Sequence, residues 1–325
     1  MVFHFRCFSF LSAQNARETT TVDVFHTANS RFVDASRMNQ TVAPNLNISP
    51  TLRNFTLSEL KTATKEFHAS NKIGEGGFAI VYKGTVKSLQ HRSFLIEVAV
   101  KQIKQGQLGY RTWLTEVNVG EINHDNLVKL IGFCNEDSQL LLVYEYMPKK
   151  SLDGHLAANS NTPLSWGRRL NIAKDAATGL EHLHKAKIIF RDFKPSNILL
   201  DNNWNAKLCD FGFARDGPQD GRTHVSTMVV GTKGYAAPEY VQTGRLTSMV
   251  DVWSYGIFLE ELITGAEKSK LIVDPRLQGY SERSMQKVTL IAKKCLEKDP
   301  KMRPTMREVL EMVTDAIASE NQQVG

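Results

Sequence analysis

The strongest constraint on this chain is a series of short motifs in fixed order. In Phe190-Arg-Asp-Phe-Lys-Pro-Ser-Asn197, Asp192 and Asn197 stand five residues apart with Lys194 between them, and Asp210-Phe-Gly212 begins thirteen residues after Asn197. Upstream lie Gly74-Glu-Gly-Gly-Phe-Ala-Ile-Val81 and Val98-Ala-Val-Lys101. Downstream, Ala237-Pro-Glu239 closes a loop that contains Gly, Asp and Thr. Each motif alone could be chance; all of them in this order and spacing are not.

The glycines are informative through the residues on their C-terminal side. A dinucleotide-binding fold needs strand, glycines, then helix. Here Phe78, Ile80, Val81 and Tyr82 continue as strand, which counts against a nicotinamide-type oxidoreductase. A glycine turn between two strands is either an ordinary hairpin or a flap whose backbone N–H groups cover nucleotide phosphates. Lys101 ends an apolar strand. It is either an edge-strand lysine or an interior ammonium, which is costly unless anions partner it. Nucleotide phosphates and Glu116, on the next helical stretch, would supply them.

Composition narrows the class. The chain has 325 residues, 42% apolar and 23% charged, close to the soluble globular average. It has no run of about 18 uncharged apolar residues that would cross a membrane. The formal charge is +6 from 40 basic and 34 acidic residues, spread over the body without a stripe or motif, so nucleic-acid binding is not expected. Cys7, Cys134, Cys209 and Cys295 show no disulfide or zinc spacing, which suits a reducing compartment. Cys209, beside Asp210, reads as small buried packing rather than a redox switch.

Residues 1–53 are rich in Ser, Thr, Asn and Gln and read as a flexible arm. His4 and Arg6 interrupt the apolar start, which argues against a signal peptide. Val2 excludes N-myristoylation, and the sequons at Asn39, Asn47 and Asn54 matter only in a secreted chain. Thr56-Leu-Ser-Glu59 looks like a capping box opening a helix through Phe67. Strands are expected at 72–74, 79–84, 96–103, 127–133 and 140–146, and a helix at 113–118. Beyond Leu152 the chain is mainly helical; apolar residues at 170, 173, 177, 180 and 183 mark one helix face. The expectation is α+β: a small antiparallel-sheet lobe with one long helix (54–147), then a larger helical lobe (148–316) and a tail (317–325).

From about Phe67 to Ala316 the sequence resembles the eukaryotic protein-kinase family. It more closely resembles plant receptor-like cytoplasmic kinases in the wording of Asn54-Phe-Thr-Leu-Ser-Glu-Leu-Lys-Thr-Ala-Thr64, Leu127-Val-Lys-Leu-Ile-Gly-Phe-Cys134 and Gly231-Thr-Lys-Gly-Tyr-Ala-Ala-Pro-Glu-Tyr240. The resemblance implies a bilobal fold and ATP-dependent phosphorylation of protein serine and threonine, with Mg²⁺, or Mn²⁺ as the alternative cation. Asp192 would orient the substrate hydroxyl and accept its proton, and Lys194 would neutralise the transferred phosphoryl group. Asn197 and Asp210 would hold the metal. Lys101, oriented by Glu116, would hold the α- and β-phosphates. Ile73, Gly74, Gly76, Gly77, Val81 and Ala99 would wrap the nucleotide. Tyr144 takes the gatekeeper place, Glu145 to Met147 the adenine hinge, and Asp153 either the ribose side or a solvated helix start. Lys194-Pro195 and Thr232 look like a Ser/Thr rather than a Tyr kinase. Arg191 implies control by phosphorylation at Thr223, Ser226 or Thr227, with Ser226 and Thr227 favoured. Glu239–Arg303 and Asp251 resemble structural supports. The group works beneath plasma-membrane receptor kinases, which implies a cytoplasmic protein with peripheral membrane attachment as a variant; a monomer is the default.

Four departures stand against the family wording. Ala79 replaces the third loop glycine. Phe190 replaces a hydrogen-bonding residue. The stretch Glu116-Val-Asn-Val-Gly-Glu-Ile-Asn-His124 is one residue short, which puts Gly120 near the place of a bulky apolar residue. Only 266–273 joins Gly265 to Asp274, where the group has a further helix, and its loss predicts bare apolar surface on the large lobe. The last two departures support an alternative reading, a nucleotide-binding but weakly active scaffold.

Overall fold

The computed structural model describes residues 52–88, 94–161, 163–219, 221–265 and 273–322. The expectations for the arm before Leu52 and for 266–272 lie outside the described residues.

The small lobe comprises β1 (Arg53–Asn54), α1 (Leu57–Thr64), β2 (Lys72–Glu75), β3 (Ala79–Lys87), β4 (Leu95–Ile103), α2 (Gln107–Val119), β5 (Leu130–Glu136) and β6 (Gln139–Glu145). Its sheet runs β1-β5-β6-β4-β3-β2. Alternation along β4 sets the two faces. Val98 and Val100 enter one core with Phe55, Leu60 and Cys134. Ala99 and Ile103, of the opposite parity, face the other core with Trp113, Val117 and Tyr144. The same parity brings Lys101 to the α2 side, where Trp113, Glu116 and Val117 share the inward stripe of a helix and are all buried.

The large lobe follows as α3 (Leu152–Leu156), α4 (Trp166–Lys185), β7 (Ile188–Ile189), β8 (Ile198–Leu200), β9 (Ala206–Leu208), β10 (Arg215–Asp216), β11 (Val225–Ser226), α5 (Pro238–Thr243), β12 (Arg245–Leu246), α6 (Met249–Thr264), α7 (Glu282–Cys295) and α8 (Met306–Asn321). The face of α4 read from its periodicity, Leu170, Ala173, Ala177, Leu180 and Leu183, is buried in one core with α6, α7 and α8. The two-lobed α+β expectation therefore holds.

The local differences have local causes. The capping box at Thr56 and Glu59 is present, but α1 stops at Thr64 rather than Phe67. Lys65, Glu66 and Phe67 all take positive φ, and the Thr64 hydroxyl accepts from the Phe67 N–H. The small sheet is not wholly antiparallel, because β1 pairs with β5 in parallel. Arg53 thus belongs to the folded body, where it donates to the Lys87 carbonyl and pairs with Glu59. Helix α2 begins six residues before the expected 113, at Gln107, and α8 continues through the expected tail to Asn321. The strand expected from 127 begins at Leu130.

The shortened connection after α6 does not bare its apolar end: Leu262, Ile263 and Leu277 are all buried. A charged clamp holds the returning chain there. Arg169, fully buried, donates to the Leu164 and Leu262 carbonyls and to Asp274 Oδ2 at 2.6 Å. Asp274 also takes Arg276, whose guanidinium reaches the carbonyls of Leu156 and Ala157. Burial pushes the Asp274 carboxyl up, but bonds from Arg276 and Arg169 outweigh it and hold the group well below the usual carboxylate range.

Candidate active site

A cavity lies between the lobes. Of the residues expected around a nucleotide, Ile73, Gly74, Val81, Ala99, Lys101, Tyr144, Glu145 and Met147 line it. Gly76, Gly77 and Asp153 do not line it. Gly76 donates to the Ala79 carbonyl within the β2–β3 turn, and Asp153 sits in the first turn of α3 with Oδ1 buried and without a hydrogen-bond partner. Val128, Lys150, Ser196, Leu199 and Cys209 also line the cavity and were missed. Leu199 was the findable one: it is the middle residue of the strand that follows Asn197, half-buried between two fully buried neighbours. Cys209 packs against the small-lobe core as expected of a packing residue, but it is half-buried rather than buried and also lines the cavity.

Lys101 is held from two sides. Its Nζ lies 2.6 Å from Glu116 Oε1 and 2.8 Å from Asp210 Oδ1. Burial alone would push the ammonium down, but the Asp210 and Glu116 carboxylates outweigh it and hold it above the ordinary lysine value. Burial pushes the Glu116 carboxyl up against the pull of Lys101. Tyr144 donates its hydroxyl to Glu116 Oε2 at 2.6 Å. Burial and then the Glu116 charge push that phenol well above its usual value, so it remains a donor. The shortened stretch after Glu116 therefore leaves this contact intact. Gly120 caps α2 against Leu130, and a Cβ there would lie 2.4 Å from Leu130 Cδ2. No bulky residue fits that place.

Asp192, Lys194 and Asn197 converge at the start of β8. Lys194 Nζ lies 3.0 Å from Asp192 Oδ2 and donates to the Thr232 hydroxyl at 2.7 Å. Thr232 in turn donates to Asp192 Oδ1 at 2.5 Å. Asn197 Nδ2 donates to the Asp192 carbonyl and carboxylate. The other terminal atom of that amide is an oxygen, the donor type a hard divalent cation takes, as is the Asp210 carboxylate. The Cys209 N–H bonds the Asn197 carbonyl and keeps the two segments adjacent. These oxygen donors fit a divalent metal.

The backbone is held as firmly as the side chains. Arg191 and Asp210 both take positive φ, which non-glycine residues adopt at a cost of roughly 1–3 kcal/mol each when the surroundings fix them. Asp251 supplies part of that fixing, accepting from the N–H groups of Phe190 and Arg191 and from His184 Nε2. Phe190 packs edge-on against Phe211 at 5.5 Å, an apolar substitute for a hydrogen bond. Ala79, the first residue of β3, is buried without positive φ, so its β-carbon introduces no backbone strain. Glu239 and Arg303 form the expected two-point pair at 2.7 and 2.8 Å.

The segment from Asp210 to Glu239 carries the expected regulatory hydroxyls. Thr223 and Ser226 are exposed, and Thr227 is half-buried. Arg191 donates to the carbonyls of Phe213 and Met228 and to the Tyr240 hydroxyl, with Nε buried and unpartnered. The cation that meets Thr227 is Arg215, at 2.7 Å, a residue that no sequence motif marks.

A family model described as the protein kinase domain matches residues 67–313. The serine/threonine-protein kinase PCRK1 of Arabidopsis thaliana is 53% identical over 305 residues, covering 83% of this chain and 73% of that protein. The serine/threonine-protein kinase PCRK2 of the same plant is 52% identical with the same coverage. The probable serine/threonine-protein kinase PBL18, also from Arabidopsis thaliana, is 48% identical, covering 81% of this chain and 76% of its own length.

Proposed function

This chain belongs to the protein kinase family, and on that basis we propose how its residues move a phosphoryl group from ATP to the serine and threonine hydroxyls of protein substrates. The single observation that carries the proposal is the pairing of Lys101 with both Glu116 and Asp210, which assembles three distant segments around one cavity. Lys101 holds the α- and β-phosphates, and Glu116 keeps it there. Asp192 orients the incoming hydroxyl and accepts its proton; Thr232 Oγ1, already on Asp192 Oδ1, marks the kind of group that carboxylate receives. Lys194 neutralises charge gathering on the transferred group. Asn197 and Asp210 would hold the divalent metal, for which Mg²⁺ is the proposed ion and Mn²⁺ the substitute; when bound, it would supply positive charge that offsets the negative charge of the phosphates. The protein contributes position and fixed charge rather than covalent chemistry.

Phosphorylation at Ser226 or Thr227 regulates the enzyme in this reading. A phosphate on Thr227 would meet Arg215, with Arg191 alongside, and order the loop by charge-assisted bonds. The upstream enzyme is a plasma-membrane receptor kinase, and the chain acts as a cytoplasmic monomer. No described helix is long and apolar enough to cross a membrane.

The test uses the full chain and its Asp192→Ala variant, each incubated with Mg²⁺ and labelled ATP and mapped by mass spectrometry. The expected result is phosphate on Ser226 or Thr227 in the parent and none in the variant, with circular dichroism showing that the variant is folded at the assay temperature. A folded parent that binds ATP and transfers nothing would overturn catalysis and favour the scaffold reading.

A further inference from the structure

Three segments of the large lobe meet around Trp204, on the turn between β8 and β9. The Arg168 guanidinium carbon lies 4.7 Å from the centre of the indole, and Lys149 Nζ lies 5.0 Å from it. The His155 ring meets the indole edge-on at 5.2 Å, and His155 Nε2 donates to the Lys149 carbonyl at 2.7 Å. Neither Lys149 nor Arg168 has a carboxylate partner among the described residues. The acid on the same turn, Asp201, is committed to the N–H groups of Asn203 and Asn205 and to the Asn205 side chain. None of Lys149, His155, Arg168 or Trp204 lines the nucleotide cavity.

Trp204 also holds φ at 70°. Asparagine takes that left-handed conformation more readily than a bulky aromatic does, and asparagines stand on either side, at 203 and 205. The indole is half-buried against the large-lobe core and anchors the site, with Arg168 exposed and Lys149 half-buried beside it. Both cations stand within about 10 Å of each other across one ring. Carboxylates at alternate positions of an extended chain are about 7 Å apart, at about 3.3 Å per residue, and so can bridge them. Anionic membranes are read by larger clusters, of about four to eight basic residues.

We propose that Lys149, Arg168 and Trp204 form a docking patch for an acidic segment of a partner protein, with its carboxylates on the two cations and the indole fixing their spacing. Aromatic and arginine anchors of this kind dominate small interfaces, and the patch operates without nucleotide.

The experiment measures binding of the full-length protein, without ATP, to a fluorescein-labelled peptide of alternating Glu and Gly. A Gln-for-Glu counterpart and vesicles of phosphatidylcholine with phosphatidylserine serve as competing probes. The Glu peptide should bind, more weakly as salt rises, and the Gln peptide should not. Lys149→Gln with Arg168→Gln should weaken binding about tenfold, and Trp204→Ala by a similar factor. The double glutamine variant changes only the two charges, and its thermal midpoint and autophosphorylation should match the parent; it decides the matter if Trp204→Ala does not fold. Equal binding of the Glu and Gln peptides, or undiminished binding by the double variant, would overturn the proposal. So would vesicle binding that depends on these residues without peptide binding.

Discussion

Replacing Asp274 with Ala removes one side of a fully buried charge pair. Arg169 is 0% exposed and its Nη2 lies 2.6 Å from Asp274 Oδ2. After the change it keeps the Leu164 and Leu262 carbonyls but no anion. Arg276 is 22% exposed at its side chain, so it can turn to water and adds little. Breaking a buried pair from one side costs about 3–5 kcal/mol. At about 2–4 °C per kcal/mol for a domain of this size, the thermal midpoint should drop by about 6–20 °C, measured by circular dichroism with urea titration alongside. Arg169→Met together with Asp274→Leu removes both charges and should recover most of the loss. The pH dependence carries its own sign. The folded Asp274 carboxyl sits below its ordinary value of 3.8, so its contribution is complete above pH about 4 and is lost as the pH falls through the folded value. Asp274→Asn lacks that component, and its stability should approach the parent's as the pH drops below about 4. An Asp274→Ala protein within about 1 kcal/mol of the parent, with an unchanged denaturant slope, would refute the account of how the short connection is closed.

Two further outcomes test the small lobe. Gly120→Leu should lower both the thermal midpoint and autophosphorylation, because its Cβ meets Leu130 Cδ2 at 2.4 Å and the Glu116 carbonyl at 2.8 Å, and overpacking costs about 1–3 kcal/mol; a gain in activity would mean that the glycine leaves a harmful gap. Tyr144→Phe strips a buried Glu116 oxygen of its donor, a loss of about 1–3 kcal/mol, and should raise the KM for ATP together with a lower midpoint; an unchanged KM would detach Tyr144 from the positioning of Lys101.

The proposed catalytic constellation was legible because each motif fixes residue type and spacing together. The order and spacing of the motifs gathered Asp192, Lys194, Asn197 and Asp210 into one expected site, and Lys101, ending an apolar strand, called for anionic partners such as Glu116. Contacts formed by chance of packing between remote segments were not legible. Nothing in the local sequence of Arg169 announces a partner at 274, and nothing about Arg215 marks it for Thr227. Counting the residues after Gly265 revealed the short connection, but not the buried Arg169 guanidinium that binds Asp274 beyond it. Cavity-lining residues such as Val128 and Cys209 carry no motif of their own and became visible only once the lobes met.

The parallel strand at the margin of the small sheet has a consequence for where this domain can be cut. Strand β5 is interior only because Arg53–Asn54 lies along it, with the Phe55 N–H bonding the Phe133 carbonyl. The approach is so close that a Cβ on Gly132 would sit 2.0 Å from the Arg53 carbonyl oxygen. The family match begins at residue 67, and a fragment cut there would keep every proposed catalytic residue while stripping this cover. It would present an open row of amide and carbonyl groups beside the vacated seat of Phe55, a template on which a second chain can add. The fourteen residues 53–66, which lie outside the cavity, thus act as the hem of the sheet and shield its edge from pairing with another chain.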